Sequence, residues 1–168
     1  MAILKSTAVG ITRAKVVLLG APAVGKTSLV ARYVHSVFSE HHKSTLGVKV
    51  DRRTVTLDEQ TVAMLIWDMH GEAEGLDLPA NYLSGAAAAI VVADSSRPET
   101  VDVARSLGER FLRSSPSAQV LFVANKADLE IDQAALDEKF AGLEAHPTSA
   151  KSGAGVEELF LKIARSVN

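Results

Sequence analysis

The sequence predicts an α/β domain of three layers, with helices on both faces of a mostly parallel sheet that carries one antiparallel hairpin. Three observations carry this. Continuous apolar runs at Ala86 to Ala93 and Val120 to Ala124 suit parallel strands covered on both faces. Each run is followed by a segment with helical spacing of apolar residues. One pair of β-prone runs, in contrast, is joined only by the short polar link Asp58-Glu59-Gln60, which suits a hairpin.

Taken in order, residues 1–14 read as a lead-in to a single domain spanning 15–168. Lys15 to Leu19 is a buried strand. The loop Gly20-Ala21-Pro22-Ala23-Val24-Gly25-Lys26-Thr27-Ser28 follows, and Leu29, Val30, Tyr33, Val34 and Val37 then predict a helix over 26–36. Phe38 to Thr45 is a polar, exposed connection. In the hairpin, Val48 to Leu57 and Thr61 to Trp67, apolar parity changes between Val48/Val50 and Val55/Leu57, which predicts a bulge near Arg52-Arg53. Residues 72–83 read as irregular. Ser96 and Pro98-Glu99 start a helix whose stripe of Val101, Ala104, Leu107 and Phe111 stops before Pro116. Asp132 caps a shorter helix with Leu136, Phe140 and Leu143, and Val156, Leu159, Phe160 and Ile163 mark the last one.

Composition narrows the chemistry. With 168 residues and 47% apolar content, the chain can bury a full core without staples. It has no cysteine, which excludes a disulfide framework, a thiolate zinc site, a cysteine nucleophile and, as the chain stands, a C-terminal lipid anchor. A net charge of −2 with mixed signs argues against nucleic-acid binding. The longest apolar run is too short to span a bilayer, so a soluble cytoplasmic protein is expected.

The loop fits G-x-x-x-x-G-K-[ST] between a strand and a helix. Glycines let successive backbone N–H groups turn inward as an anion nest, to which the helix start adds its positive end. Lys26 is placed to reach the terminal phosphates of a polyphosphate, and the Thr27 hydroxyl to take one position on Mg²⁺. Ligands of such sheets sit beyond the carboxyl ends of the strands, and further polar residues fall there. Asp68 closes the Ala63 to Trp67 run, where a carboxylate can hold a water of the Mg²⁺ shell. Gly71 can bring an N–H to a terminal phosphate. Asp128, in Asn125-Lys126-Ala127-Asp128, can accept two N–H bonds from a guanine edge, and Thr148-Ser149-Ala150-Lys151 supplies a backbone donor.

The phosphate loop, Thr45, Asp68-x-x-Gly71, Asn125-Lys126-x-Asp128 and Ser149-Ala150-Lys151 follow in order and near the right spacing for the chain to resemble a small GTPase of the Ras/Rab-like superfamily from Lys15 to Val167. The resemblance implies the three-layer P-loop NTPase fold of small G proteins, with a mostly parallel six-stranded sheet and one antiparallel hairpin strand. It implies GTP and GDP as ligands with Mg²⁺, slow hydrolysis of GTP to GDP and phosphate, and a molecular switch in signalling. Nucleotide-binding residues would be Ala23, Val24, Gly25, Lys26, Thr27, Ser28, Phe38, Thr45, Gly71, Asn125, Lys126, Asp128, Ser149, Ala150 and Lys151. Phe38 would pack on the guanine, Lys126 would flank it, and the Ala150 N–H would meet its oxygen. Thr27, Thr45 and Asp68 would serve the metal, and Lys26, Gly71 and Glu72 the hydrolytic step. An activating protein, an exchange factor and effectors would bind switches at about 38–48 and 70–83 of a monomer.

Two residues depart from the commonest family pattern, in which the third loop residue is glycine and glutamine follows the Asp-x-x-Gly glycine; here they are Pro22 and Glu72. Pro22 removes an N–H and adds a ring, so the alternative is a GTP/GDP-binding interaction module with little hydrolysis. A P-loop kinase would want an arginine-rich lid, for which there is no cluster. The short link from Asp128 to Ser149 predicts a truncated strand and helix, and Trp67 is expected in the core or at an interface.

Overall fold

The computed structural model describes residues 10–40, 47–58, 60–69 and 79–168. Strand β1 (Ile11–Gly20) leads to helix α1 (Lys26–His35), and β2 (Val48–Leu57) turns into β3 (Gln60–Met69). Helix α2 (Ala80–Leu83) precedes β4 (Ala86–Asp94), α3 (Glu99–Ser114), β5 (Gln119–Asn125), α4 (Gln133–Lys139), β6 (Ala145–Pro147) and α5 (Val156–Ser166). The sheet order is β2-β3-β1-β4-β5-β6. Only the β2/β3 pair is antiparallel.

The apolar runs earn their central places. Val16, Val17, Leu18, Ile90, Val91 and Val92 are fully buried, and they point alternately into two cores. One core lies under α1 and α5, where Tyr33 stacks on Phe160 with ring centroids 3.9 Å apart. The other lies under α2, α3 and α4 around Leu107, Phe111 and Leu136. Each fully buried side chain of this size is worth about 2 kcal/mol in apolar transfer. The sheet is thereby held between two helical layers.

Several expectations change in detail. β1 begins at Ile11 rather than Lys15, because Ile11 to Ala14 pair with Thr61 to Met64 of β3. The hairpin carries no bulge at Arg52-Arg53: pairing runs unbroken from Val48↔Met69 to Leu57↔Gln60. The parity change has another cause. Val48 packs into the α3-side core, whereas Val55 and Leu57 pack into the α1-side core, so opposite ends of this edge strand serve opposite faces. The turn is tight, with Asp58 at φ 44°. Part of the segment read as irregular, Ala80–Leu83, is a helical turn. The link beyond Asp128 is short as expected, with seven residues in α4 and three in β6. Asp132 caps α4, accepting from the Ala135 N–H at 3.0 Å. Among the described residues no helix is long and apolar enough to cross a membrane.

Candidate functional site

The sheet register brings the polar strand ends together. Asp68 lies opposite Leu18, Gly20 opposite Val92, and Asp94 opposite Asn125, so the first loop and two motifs share one edge. Glycine is demanded at two places in that loop. A Cβ on Gly20 would strike the Val92 carbonyl oxygen, and one on Gly25, at φ 100°, would strike Asn125 Nδ2. Between them Ala23 adopts φ 57°, a left-handed conformation rare for alanine. α1 begins directly after the loop, so the positive end of its dipole favours an anion there.

Lys26 is buried, 7% exposed, and its ammonium donates to the carbonyls of Gly20 at 2.9 Å and Ala21 at 3.0 Å. Thr27 Oγ1 donates to Asp68 Oδ2 at 2.6 Å, and Asp68 is itself only 2% exposed. A hydroxyl and a carboxylate side by side are the hard oxygen donors that Mg²⁺ takes when phosphate oxygens and water complete its octahedron. Among the described residues there is no cluster of three or more His, Cys, Asp or Glu.

On the other side of the loop Asn125, 1% exposed, bonds through both its amide nitrogen and its amide oxygen. Its Nδ2 donates to the Val24 carbonyl at 2.9 Å; its Oδ1 accepts from Thr148 Oγ1 at 3.0 Å and, more loosely, from the Ala150 N–H at 3.3 Å. Ser149 Oγ donates to Asp128 Oδ1 at 2.6 Å and accepts from the Ser152 N–H at 3.0 Å. Arg32 of α1 clasps the same turn, donating from Nε to the Ala150 carbonyl at 2.7 Å. Lys126, at φ 63°, turns its ammonium onto Asp94 Oδ2 at 2.7 Å.

Gly25, Ser28, Phe38, Asn125, Lys126, Asp128, Ala150 and Lys151 line one open cleft of about 260 Å³, together with Glu40 and Leu129. At its mouth Lys151 and Glu40 form an ion pair at 3.4 Å. Of the remaining residues singled out in the sequence, Val24 is fully buried and contributes through its backbone, and Ser149 sits behind Asp128. Thr45, Gly71 and Glu72 lie outside the described residues. Trp67 is half-buried on the β2/β3 face, with the Lys15 ammonium 4.0 Å from its ring centre and Tyr82 tilted against it at 6.5 Å.

Sequence reasoning missed Asp94 and Arg97. Asp94 is 1% exposed and accepts from Lys126, from Arg97 Nε at 3.0 Å, and from both the N–H and the hydroxyl of Ser96. Burial pushes its carboxyl pKa up, but the bonds from Lys126, Ser96 and Arg97 outweigh burial and hold it below its ordinary value. A polar residue closing a buried strand beside Asp68 and Asn125 was the available signal. Arg97 carried none, because a lone arginine after a turn reads as a solvated charge.

Comparison with known proteins bears on the family of the chain. The family model described as Ras family matches residues 15–168. The Ras-related protein RABA3 of Arabidopsis thaliana is 35% identical over 161 residues, which cover 91% of this chain and 68% of that protein.

Proposed function

We propose that this chain, which belongs to the Ras family of small GTPases, binds GTP and GDP in the cleft at Gly25, Phe38 and Asp128, hydrolyses GTP slowly with Mg²⁺, and changes partners as it does so. The observation that carries the reading is the convergence of the phosphate loop, Phe38, the Asn125 to Asp128 motif and the Ala150-Lys151 turn on one cleft. Its test is chromatography of the nucleotide released from purified protein, followed by single-turnover hydrolysis with and without Mg²⁺. Bound GDP and slow, Mg²⁺-dependent turnover are expected. Release of no guanine nucleotide, or equal affinity for ATP and GTP, overturns the reading.

In this proposal residues 15–168 act as one nucleotide-binding domain in the cytoplasm. The Asp128 carboxylate reads the guanine N–H edge, Phe38 and the Lys126 stem cover its faces, and the Ala150 N–H, loosely held at 3.3 Å, turns to its oxygen. Lys26 and the amides of Ala23 to Ser28 hold the phosphates. Thr27 and Asp68, joined by Thr45, would hold Mg²⁺, which when bound neutralises charge on the phosphate oxygens. Attack of water in line with the bond to GDP would be helped by Lys26 and, by their places in the motif, by the Gly71 N–H as a donor and Glu72 as the residue that orients the water. An activating protein, an exchange factor and effectors approach through the switches at about 38–48 and 70–83. Between those switches the β2/β3 face offers them the exposed side chains of Val50 and Leu65 beside Trp67.

Pro22 and Glu72 favour one second reading, an interaction module that keeps its nucleotide and barely hydrolyses it. Retained GTP with no turnover in the same experiment selects the module.

A further inference from the structure

The structure assigns Arg97 as a positioning residue for the phosphate loop, holding the Pro22–Ala23 peptide so that the Ala23 N–H faces the phosphates. The inference rests on the nucleotide reading above and adds a part to it. Arg97 Nη2 donates to the Pro22 carbonyl at 2.9 Å while its Nε donates to Asp94 Oδ2 at 3.0 Å. One planar guanidinium thus spans from the end of β4 to the loop, a fork that a lysine cannot make. The described peptide bonds are all trans, and in a trans peptide the C=O and the following N–H point in opposite directions. Pinning the Pro22 oxygen toward Arg97 therefore turns the Ala23 N–H to the opposite side of the peptide, away from Arg97.

Two features make this brace matter in this chain. Pro22 has no N–H, so Ala23 carries the first amide donor after the turn. Ala23 also holds φ 57°, a conformation that alanine seldom adopts without an external hold. The cleft that would take the base is lined by Gly25 and Ser28 but not by Pro22 or Ala23, so this donor meets the terminal part of the polyphosphate. The anchor of the brace is firm. Asp94 is 1% exposed and also binds Lys126 at 2.7 Å, so Arg97 ties the phosphate loop to the residue that flanks the base.

The test compares the full chain with Arg97→Ala and Arg97→Lys by release of GTP and GDP, by single-turnover hydrolysis at saturating GTP, and by preference for GTP over xanthosine triphosphate. Loss of one charge-assisted bond predicts hydrolysis slowed and GTP release sped up by about tenfold in Arg97→Ala. GDP release should change less, and base preference not at all. Arg97→Lys keeps the charge without the fork and should behave like Arg97→Ala. Equal acceleration of GTP and GDP release, or full recovery in Arg97→Lys, overturns the assignment. Should Arg97→Ala fail to fold, Arg97→Lys decides by the same ratio, and the Ala23 amide resonance of the GDP-bound protein must move in it if the brace holds that peptide. An unmutated chain that binds no guanine nucleotide overturns both readings; one that binds, with variants indistinguishable from it, overturns this one alone.

Discussion

The base side and the phosphate side of the cleft are built differently. On the base side the polar groups satisfy one another in the arrangement that a guanine would meet: Asn125 bonds the Val24 carbonyl and Thr148, and Ser149 fixes the Asp128 carboxylate. On the phosphate side the working groups hold partners that a ligand must displace. The Lys26 ammonium is on loop carbonyls, and the Thr27 hydroxyl is on Asp68. On the proposed reading a base would therefore add contacts to a frame that gives up only the loose Ala150 N–H bond, whereas phosphate and metal would exchange contacts. The difference teaches, on that reading, where each property of a switch would reside: selectivity with the half whose polar groups already satisfy one another, and response to the γ-phosphate with the half whose bonds are exchangeable.

The largest effect expected comes from breaking the frame. Asn125→Ala leaves the Val24 carbonyl and the Thr148 hydroxyl unpaired at a site that is 1% exposed, which should cost about 4 kcal/mol of stability. Thermal or denaturant unfolding of the nucleotide-free protein measures it. A loss seen only in nucleotide affinity would place Asn125 among the exchangeable groups instead.

Next comes the hub that joins the two halves. Asp94→Asn removes the charge that faces Lys126 and Arg97 and should cost about 3 kcal/mol. The pH dependence sharpens this. The folded pKa of Asp94 is depressed, so its stabilisation is fully present above the ordinary value of 3.8 and is lost as pH falls through the lower folded value. Melting curves of the unmutated chain should therefore fall away in acid more steeply than those of Asp94→Asn. Equal slopes would remove Asp94 from that role.

A smaller effect tests selectivity directly. Asp128→Asn should weaken GTP about tenfold or more, as loss of a good bidentate pair does, and should favour xanthosine nucleotides, whose edge presents an acceptor. Nucleotide competition measures it. Unchanged preference would mean that the base is read elsewhere.

The same contrast governs how much could be read beforehand. The base side and the loop are local in sequence, since Gly25-Lys26-Thr27 and Asn125 to Asp128 each carry their own geometry, and their convergence follows from strands ending together. Elements paired over long range were harder. Ile11 to Ala14 look like a tail because Thr12 and Arg13 are polar, and only pairing with β3 makes them a strand. The parity change in β2 records two cores meeting one edge, which no local pattern distinguishes from a bulge. Asp94 and Arg97 gain meaning only from Lys126 and Pro22, which lie far away in sequence.

The smallest effect expected is at Glu72, where the phosphate side departs furthest from the family pattern. A carboxylate about 4 Å from a phosphate charge is repelled by roughly 4 kcal/mol at an effective dielectric of 20. The side chain then turns to solvent, takes up a proton, or waits for a cation from a partner. The first outcome needs no help, and it predicts that Glu72→Ala slows the partner-free protein by less than about threefold, since an engaged acid or base would be worth roughly 100-fold or more. Protonation instead predicts a rate that bends between about pH 5 and 8 and loses the bend in Glu72→Gln. Single-turnover hydrolysis across that range separates the two. If Glu72→Ala abolishes fast, pH-independent turnover without a partner, this part of the phosphate side is as preformed as the base side, and the contrast between the halves fails there.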